Sequence, residues 1–119
     1  MSARSLAAGL ALALLAGCGP AEHFDDAVCP PEGTELTYEN FGKHFMGAHC
    51  QSCHASAAED RKGAPSGYEF DTYEDVVRHK ERIYERAAGD NTSMPTGPDD
   101  PPVEERDDLA EWIACGAPR

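Results

Sequence analysis

Positive charge is scarce in this chain: 10 Lys and Arg stand against 22 Asp and Glu over 119 residues, for a formal net charge of −12. That balance disfavours nucleic acid and anionic lipid headgroups as partners, because both are bound through clustered Lys and Arg. It leaves two expectations, a partner protein with a basic docking face or a solvated acidic surface that aids solubility. Also missing are internal repeats and any run of alternating apolar and polar residues that would mark a strand. No apolar stretch reaches the roughly 20 residues that a membrane-spanning helix needs. The length allows one domain with a single small core.

What the N-terminus does hold is short. Arg4 precedes a small, apolar run from Leu6 to Gly17, which reads as a signal peptide over residues 1–17. The run ends in Leu15-Ala16-Gly17-Cys18, which resembles the lipobox of bacterial lipoproteins. That resemblance implies cleavage before Cys18 and acylation of its sulfur; ordinary signal cleavage nearby, with Cys18 a bystander, is the alternative. Several acyl chains, at about 0.8 kcal/mol per buried methylene, anchor a protein stably where one chain does not. The expected address is the periplasmic side of a bacterial cell envelope, on a membrane through the lipid and not within it. Gly19 in place of Asp after Cys18 points, by the same analogy, to the outer membrane over the inner. Residues 18–34, rich in Pro, Gly and acids, are expected to form the acylated N-terminus and a tether.

Beyond residue 34 the spacing turns helical. Tyr38, Phe41, Gly42, Phe45 and His49 fall on one face of a helix that runs into Cys50, with Thr37 as its N-cap. Gly42 costs about 1 kcal/mol relative to Ala inside a helix, so its place on the inward face predicts a close crossing by another helix. Met46, beside Phe45, is expected in the core. Residues 55–71 lack a period and read as loop. Thr72 and Asp75 form a capping-box pattern for a second helix that carries Tyr73, Val76, Val77, Ile83, Tyr84 and Ala87 inward and ends before Gly89. Residues 89–102 contain too much Gly and Pro for a regular element. Glu104, Glu105, Asp107 and Asp108 then suit the positive end of a third helix, with Leu109, Trp112 and Ile113 inward and Gly116 and Pro118 as its stop. The fold class is therefore all-α.

Cys50-Gln51-Ser52-Cys53-His54 carries the chemistry. Two cysteines three apart with a histidine directly after the second form the attachment signature of haem c: both thiols reach vinyl groups while the adjacent imidazole meets the iron. The competing readings are a thiol-disulfide redox pair and half of a zinc site. The first wants a strand before the motif, where a helix is expected; the second wants further ligands, and only scattered His and distant Cys are on offer.

With that motif between an N-terminal and a C-terminal helix, residues 36–116 resemble a small class I cytochrome c. The resemblance implies one covalent haem c enclosed by three main helices, of which the first and last cross, in a cytochrome domain over residues 35–119. It implies Cys50 and Cys53 as thioether donors, His54 as proximal iron ligand and Met94, followed by Pro95 in the loop before the last helix, as sixth ligand. It places Gly42 and Trp112 at the helix crossing. In Gly63-Ala64-Pro65 it suggests that the Pro65 carbonyl accepts a hydrogen bond from the proximal imidazole. His23, His44 and His79 read as solvated and His49 as too close to Cys50 to ligate from the far side; His79 is the second choice for Met94's role. The chain departs from the family in lacking a lysine-rich face and in its short segment between motif and Met94.

The odd count of five cysteines then resolves: with Cys18 on lipid and Cys50 and Cys53 on haem, Cys29 and Cys115 remain and are expected to pair, two free thiols being the alternative. The implied function is single-electron transfer through a His/Met-ligated iron. It calls for a redox protein partner and no enzymatic activity of the chain's own. The alternatives are a haem subunit of a larger membrane-associated oxidoreductase and, with an open iron site, a gas sensor or peroxidase.

Overall fold

In the computed structural model, which describes residues 19–119, helices begin where side chains can cap them. The Thr37 hydroxyl accepts the Asn40 N–H at 3.1 Å and the Asn40 side-chain oxygen accepts the Thr37 N–H at 2.7 Å, so two otherwise orphaned backbone donors are satisfied reciprocally. A wide π-helical turn, Tyr38–Gly42, follows and passes into α1, Lys43–His49. Cys50, at φ −120°, interrupts the spiral before the short α2, Gln51–His54. The Thr72 and Asp75 capping box starts α3, Tyr73–Arg78, His79 breaks the geometry at φ −108°, and α4 runs over Lys80–Ala87. The last helix, α5, covers Val103–Ala114 with Glu104 and Glu105 in its first turn, where carboxylates favour the positive helix end. The described residues are thus all-α, with no strand. Breaks at Cys50 and His79 divide the first two expected helices. No described helix is long and apolar enough to cross a membrane.

Trp112, Tyr84, Met46, Leu109, Ile113 and Val76 are the largest fully buried side chains. At the centre, a Cβ on Gly42 would lie 2.6 Å from the Trp112 ring, so only glycine lets the first helical segment sit this close to α5. Tyr38 and Phe41 flank the same indole at centroid distances of 6.4 and 6.2 Å. The chain end locks this packing. The Pro118 carbonyl accepts both the Trp112 indole N–H at 3.0 Å and the Tyr38 N–H at 2.8 Å, and the Ala117 carbonyl accepts the Tyr73 hydroxyl at 2.8 Å.

Cys29 and Cys115 are bonded to each other. The described residues ahead of that bond lie against the domain. Phe24 packs edge-on against Tyr84 at 5.8 Å, the Tyr84 hydroxyl donates to the Ala21 carbonyl at 2.7 Å, and the Asn91 amide donates to the Glu22 carbonyl at 2.8 Å. Partial burial of Phe24 and these long-range bonds explain why a segment without apolar period is held. The expected leader over residues 1–17 and Cys18 lie outside the described residues.

Candidate functional site

The α1–α2 junction turns tightly, with the Cys53 and His54 amides both donating to the Cys50 carbonyl, at 3.2 and 2.9 Å. This turn brings the Cys50 and Cys53 side chains and the His54 ring to the wall of one cavity of about 400 Å³, and Met94 reaches the same cavity from the loop before α5. Phe70, Ile83, Ala87 and Pro95 give it apolar surface. Neither Cys50 nor Cys53 is disulfide-bonded.

The imidazole of His54 is held from two sides. Its Nδ1 lies 2.7 Å from the Tyr68 carbonyl oxygen, and its ring stacks on Phe70 at 4.6 Å and 18°. A carbonyl only accepts, so Nδ1 carries the proton, and the lone pair of a neutral imidazole held this way lies on Nε2. The support is itself supported: the Phe70 N–H donates to the His54 carbonyl at 2.7 Å, and the Gln51 amide donates to the Phe70 carbonyl at 2.8 Å. Tyr68 takes the place expected of Pro65. The Pro65 carbonyl is occupied by the Arg61 guanidinium at 3.0 Å and by the Tyr68 N–H at 3.3 Å. That second bond closes a turn, with Gly67 at φ +93°, which carries the next carbonyl to the ring. An aromatic pair at alternate positions in a loop was the available signal for Tyr68 and Phe70.

Met94 is equally fixed. Its N–H donates to the Arg86 carbonyl at 2.8 Å, and its own carbonyl accepts from Arg106 at 2.9 Å. Arg106, on α5, is 4% exposed, and the same Nη1 also donates to the carbonyls of Ala87 and Asn91, at 2.8 and 3.0 Å. Its Nη2 has no hydrogen-bond partner. The Asp100 carboxylate at 3.9 Å is too far for a hydrogen bond and acts through charge alone.

The other histidines stand apart from this arrangement. His23 and His44 are exposed. His49 lies on the cavity wall but its Nε2 is 2.8 Å from the Glu105 carboxylate, which ties α1 to α5. His79 packs between Tyr68 and Phe70, at centroid distances of 4.8 and 5.8 Å, and is not on the cavity wall. Met46 is fully buried in the core.

Chemistry at the cysteines separates the competing uses of the motif. Burial pushes the Cys50 thiol up to about 12, against a smaller opposing pull from Arg106. A reactive redox pair needs the opposite, a thiolate favoured near neutral pH. A zinc cage needs converging ligands, and among the described residues no group of three or more His, Cys, Asp or Glu is placed to hold a metal ion. Two unpaired thiols, an imidazole with its lone pair directed by a backbone bond and a thioether on one partly apolar cavity suit haem c. The volume lies within the roughly 300–1,000 Å³ common for cofactor sites.

Charge around the cavity inverts that of the chain. Arg61, Lys62, Arg82 and Arg86 line it, and none of the 22 acidic residues does. Loop and helix contribute two cations each, a gathering that linear spacing does not display. No protein-family model, curated protein or solved structure matches the chain.

Proposed function

We propose that the chain is a mono-haem c-type cytochrome of the small class I fold, exported and tethered to the bacterial envelope through Cys18, that passes single electrons to a redox protein partner. The observation that carries this is the meeting of Cys50, Cys53, His54 and Met94 on one cavity. Cys50 and Cys53 would hold the haem by thioether bonds, and His54 Nε2 and the Met94 sulfur would bind its iron. When bound, the haem supplies one-electron chemistry between ferrous and ferric iron.

The chain's own residues orient and enclose. The Tyr68 carbonyl and the Phe70 ring fix the plane and basicity of His54, as outer partners of metal-binding imidazoles do. Arg106 pins the Met94 carbonyl, and Ile83, Ala87 and Phe70 give the cavity an apolar wall. Ligation by both a thioether and an imidazole would raise the reduction potential and leave no iron position for small ligands, which suits a carrier over a gas sensor or peroxidase.

Expression with export and haem maturation, followed by a pyridine haemochrome assay, tests this reading. One covalent c-type haem per chain is expected, and its absence would end the proposal. In Met94→Ala the covalent haem should stay while the sulfur-to-iron charge-transfer band disappears. His79→Ala should leave that band unchanged.

A further inference from the structure

Three described cations, Lys80, Arg82 and Arg86, make no ion pair within 4 Å and donate no side-chain hydrogen bond among the described residues. This is unusual company for so acidic a chain. Two of them, Arg82 and Arg86, stand one turn apart on α4 and line the cavity together. Like charges at this spacing repel, by about 0.2–0.5 kcal/mol on an exposed helix. The local acids do not relieve them: Glu22 and Glu85 line a neighbouring polar cleft of about 230 Å³ with both arginines and His23, yet neither carboxylate comes within ion-pair distance. A pair of unpaired guanidiniums facing a cavity fits a ligand that brings two carboxylates, since guanidinium binds carboxylate through parallel donors.

Resting on the haem reading above, the geometry points to Arg82 and Arg86 as the residues that hold the two haem propionates. The placement has a second consequence. The Arg86 carbonyl accepts the Met94 N–H at 2.8 Å and the Ser93 hydroxyl at 3.3 Å, so the same turn of α4 bonds propionate by side chain and the sixth-ligand loop by backbone. Arg82 and Arg86 are thereby positioning residues that also set charge near the iron. Neutralising the propionates favours the less positive, ferrous state and raises the potential.

The test compares Arg82→Gln and Arg86→Gln with Lys80→Gln, an unpaired cation on the same helix that lies off the cavity, by redox titration from the acidic carboxylate range up to alkaline pH. Both arginine variants are expected to keep covalent haem and the Met94 band and to show a lowered midpoint potential. The deficit should be greatest at alkaline pH and shrink on acidification, as the released propionate takes up a proton; a through-space charge effect alone gives no such slope. His23 and His49 are common to all the proteins and drop out of the difference. Midpoints lowered no further than in Lys80→Gln, with haem attached, would overturn this assignment while sparing the haem reading; a wild-type chain without covalent haem overturns both. A second measurement needs no variant: propionate carboxyl carbons labelled with ¹³C in the wild-type protein should titrate below the ordinary carboxylate range, and titration within or above it would refute the pairing.

Discussion

A guanidinium that is 4% exposed is costly to bury unless its donors are used, and Arg106 uses one nitrogen for three carbonyls, that of Ala87 at the end of α4 and those of Asn91 and Met94 in the loop that follows. Replacing it should therefore loosen residues 89–102 more than it harms the helices. Arg106→Gln is expected to destabilise the protein by about 3 kcal/mol, because several carbonyls then lose a charged donor at once. On the proposed ligation it should also lower the temperature at which the Met94 charge-transfer band is lost, below that of global unfolding followed by far-UV circular dichroism. If both signals vanish together at an unshifted temperature, Arg106 does not hold the loop. Arg106 sits between Glu105 and Asp107 on α5 and looks, in sequence, like one more charge on a solvated face. Its burial follows from how the loop folds over it, and no local pattern records that.

Between elements, the Tyr38–Gly42 turn comes close to α5 at Gly42, and two glycines of the same helical region show what that approach demands. Helix propensity alone favours Ala over Gly by about 1 kcal/mol. At Gly47, exposed on α1 with only a distant Gln51 side chain at 3.8 Å, that preference is unopposed, so Gly47→Ala should stabilise by up to about 1 kcal/mol in urea titration. At Gly42 a Cβ would meet the indole at 2.6 Å, and Trp112 is fully buried with its N–H tied to Pro118. Gly42→Ala should therefore destabilise by about 1–3 kcal/mol, the usual cost of overpacking. Opposite signs at the two positions are the expected outcome; the same sign at both would remove the crossing from the account.

Such contrasts mark how much the sequence discloses at this scale. Thr37 and Thr72 announce their helices because capping is local, and a glycine on an apolar face signals close approach. The loop character of residues 55–71 and 89–102 follows equally from composition. The Tyr68 carbonyl at His54 depends on a contact between residues far apart in the chain, as does the docking of Phe24 on Tyr84, and no local pattern marks the breaks at Cys50 and His79. Pro65 misled because its turn, and not its own carbonyl, delivers the bond.

Across the whole molecule the covalent tie between Cys29 and Cys115 spans 86 residues and joins the docked N-terminal segment to the end of α5. In the chain-entropy account such a closure stabilises by about 4–5 kcal/mol, a large share of the 5–15 kcal/mol that a domain typically has. A Cys29→Ser, Cys115→Ser double variant should lose up to that amount in guanidinium titration. Alkylation of Cys29 and Cys115 in wild-type protein without prior reduction, with no change of mass on reduction, would deny the bond.

The distribution of charge offers the last test at this scale. Acids avoid the cavity but crowd along α5, where Asp108 is pushed above the ordinary carboxylate range, first by partial burial and then by Glu111, Asp107 and Glu105. A carboxyl whose pKa rises on folding binds its proton more tightly in the native state. Between the unfolded and the raised folded value, stability therefore falls as pH rises, and above both the penalty is present in full. Asp108→Asn removes the charge and should stabilise the protein at neutral pH, by less than about 1 kcal/mol for a group this open to solvent. The gain should fade as acid protonates the wild-type carboxyl, and raised salt should reduce it at neutral pH by screening the neighbours. A gain that is constant with pH would point to the amide's own contacts and away from repulsion along the acidic helix.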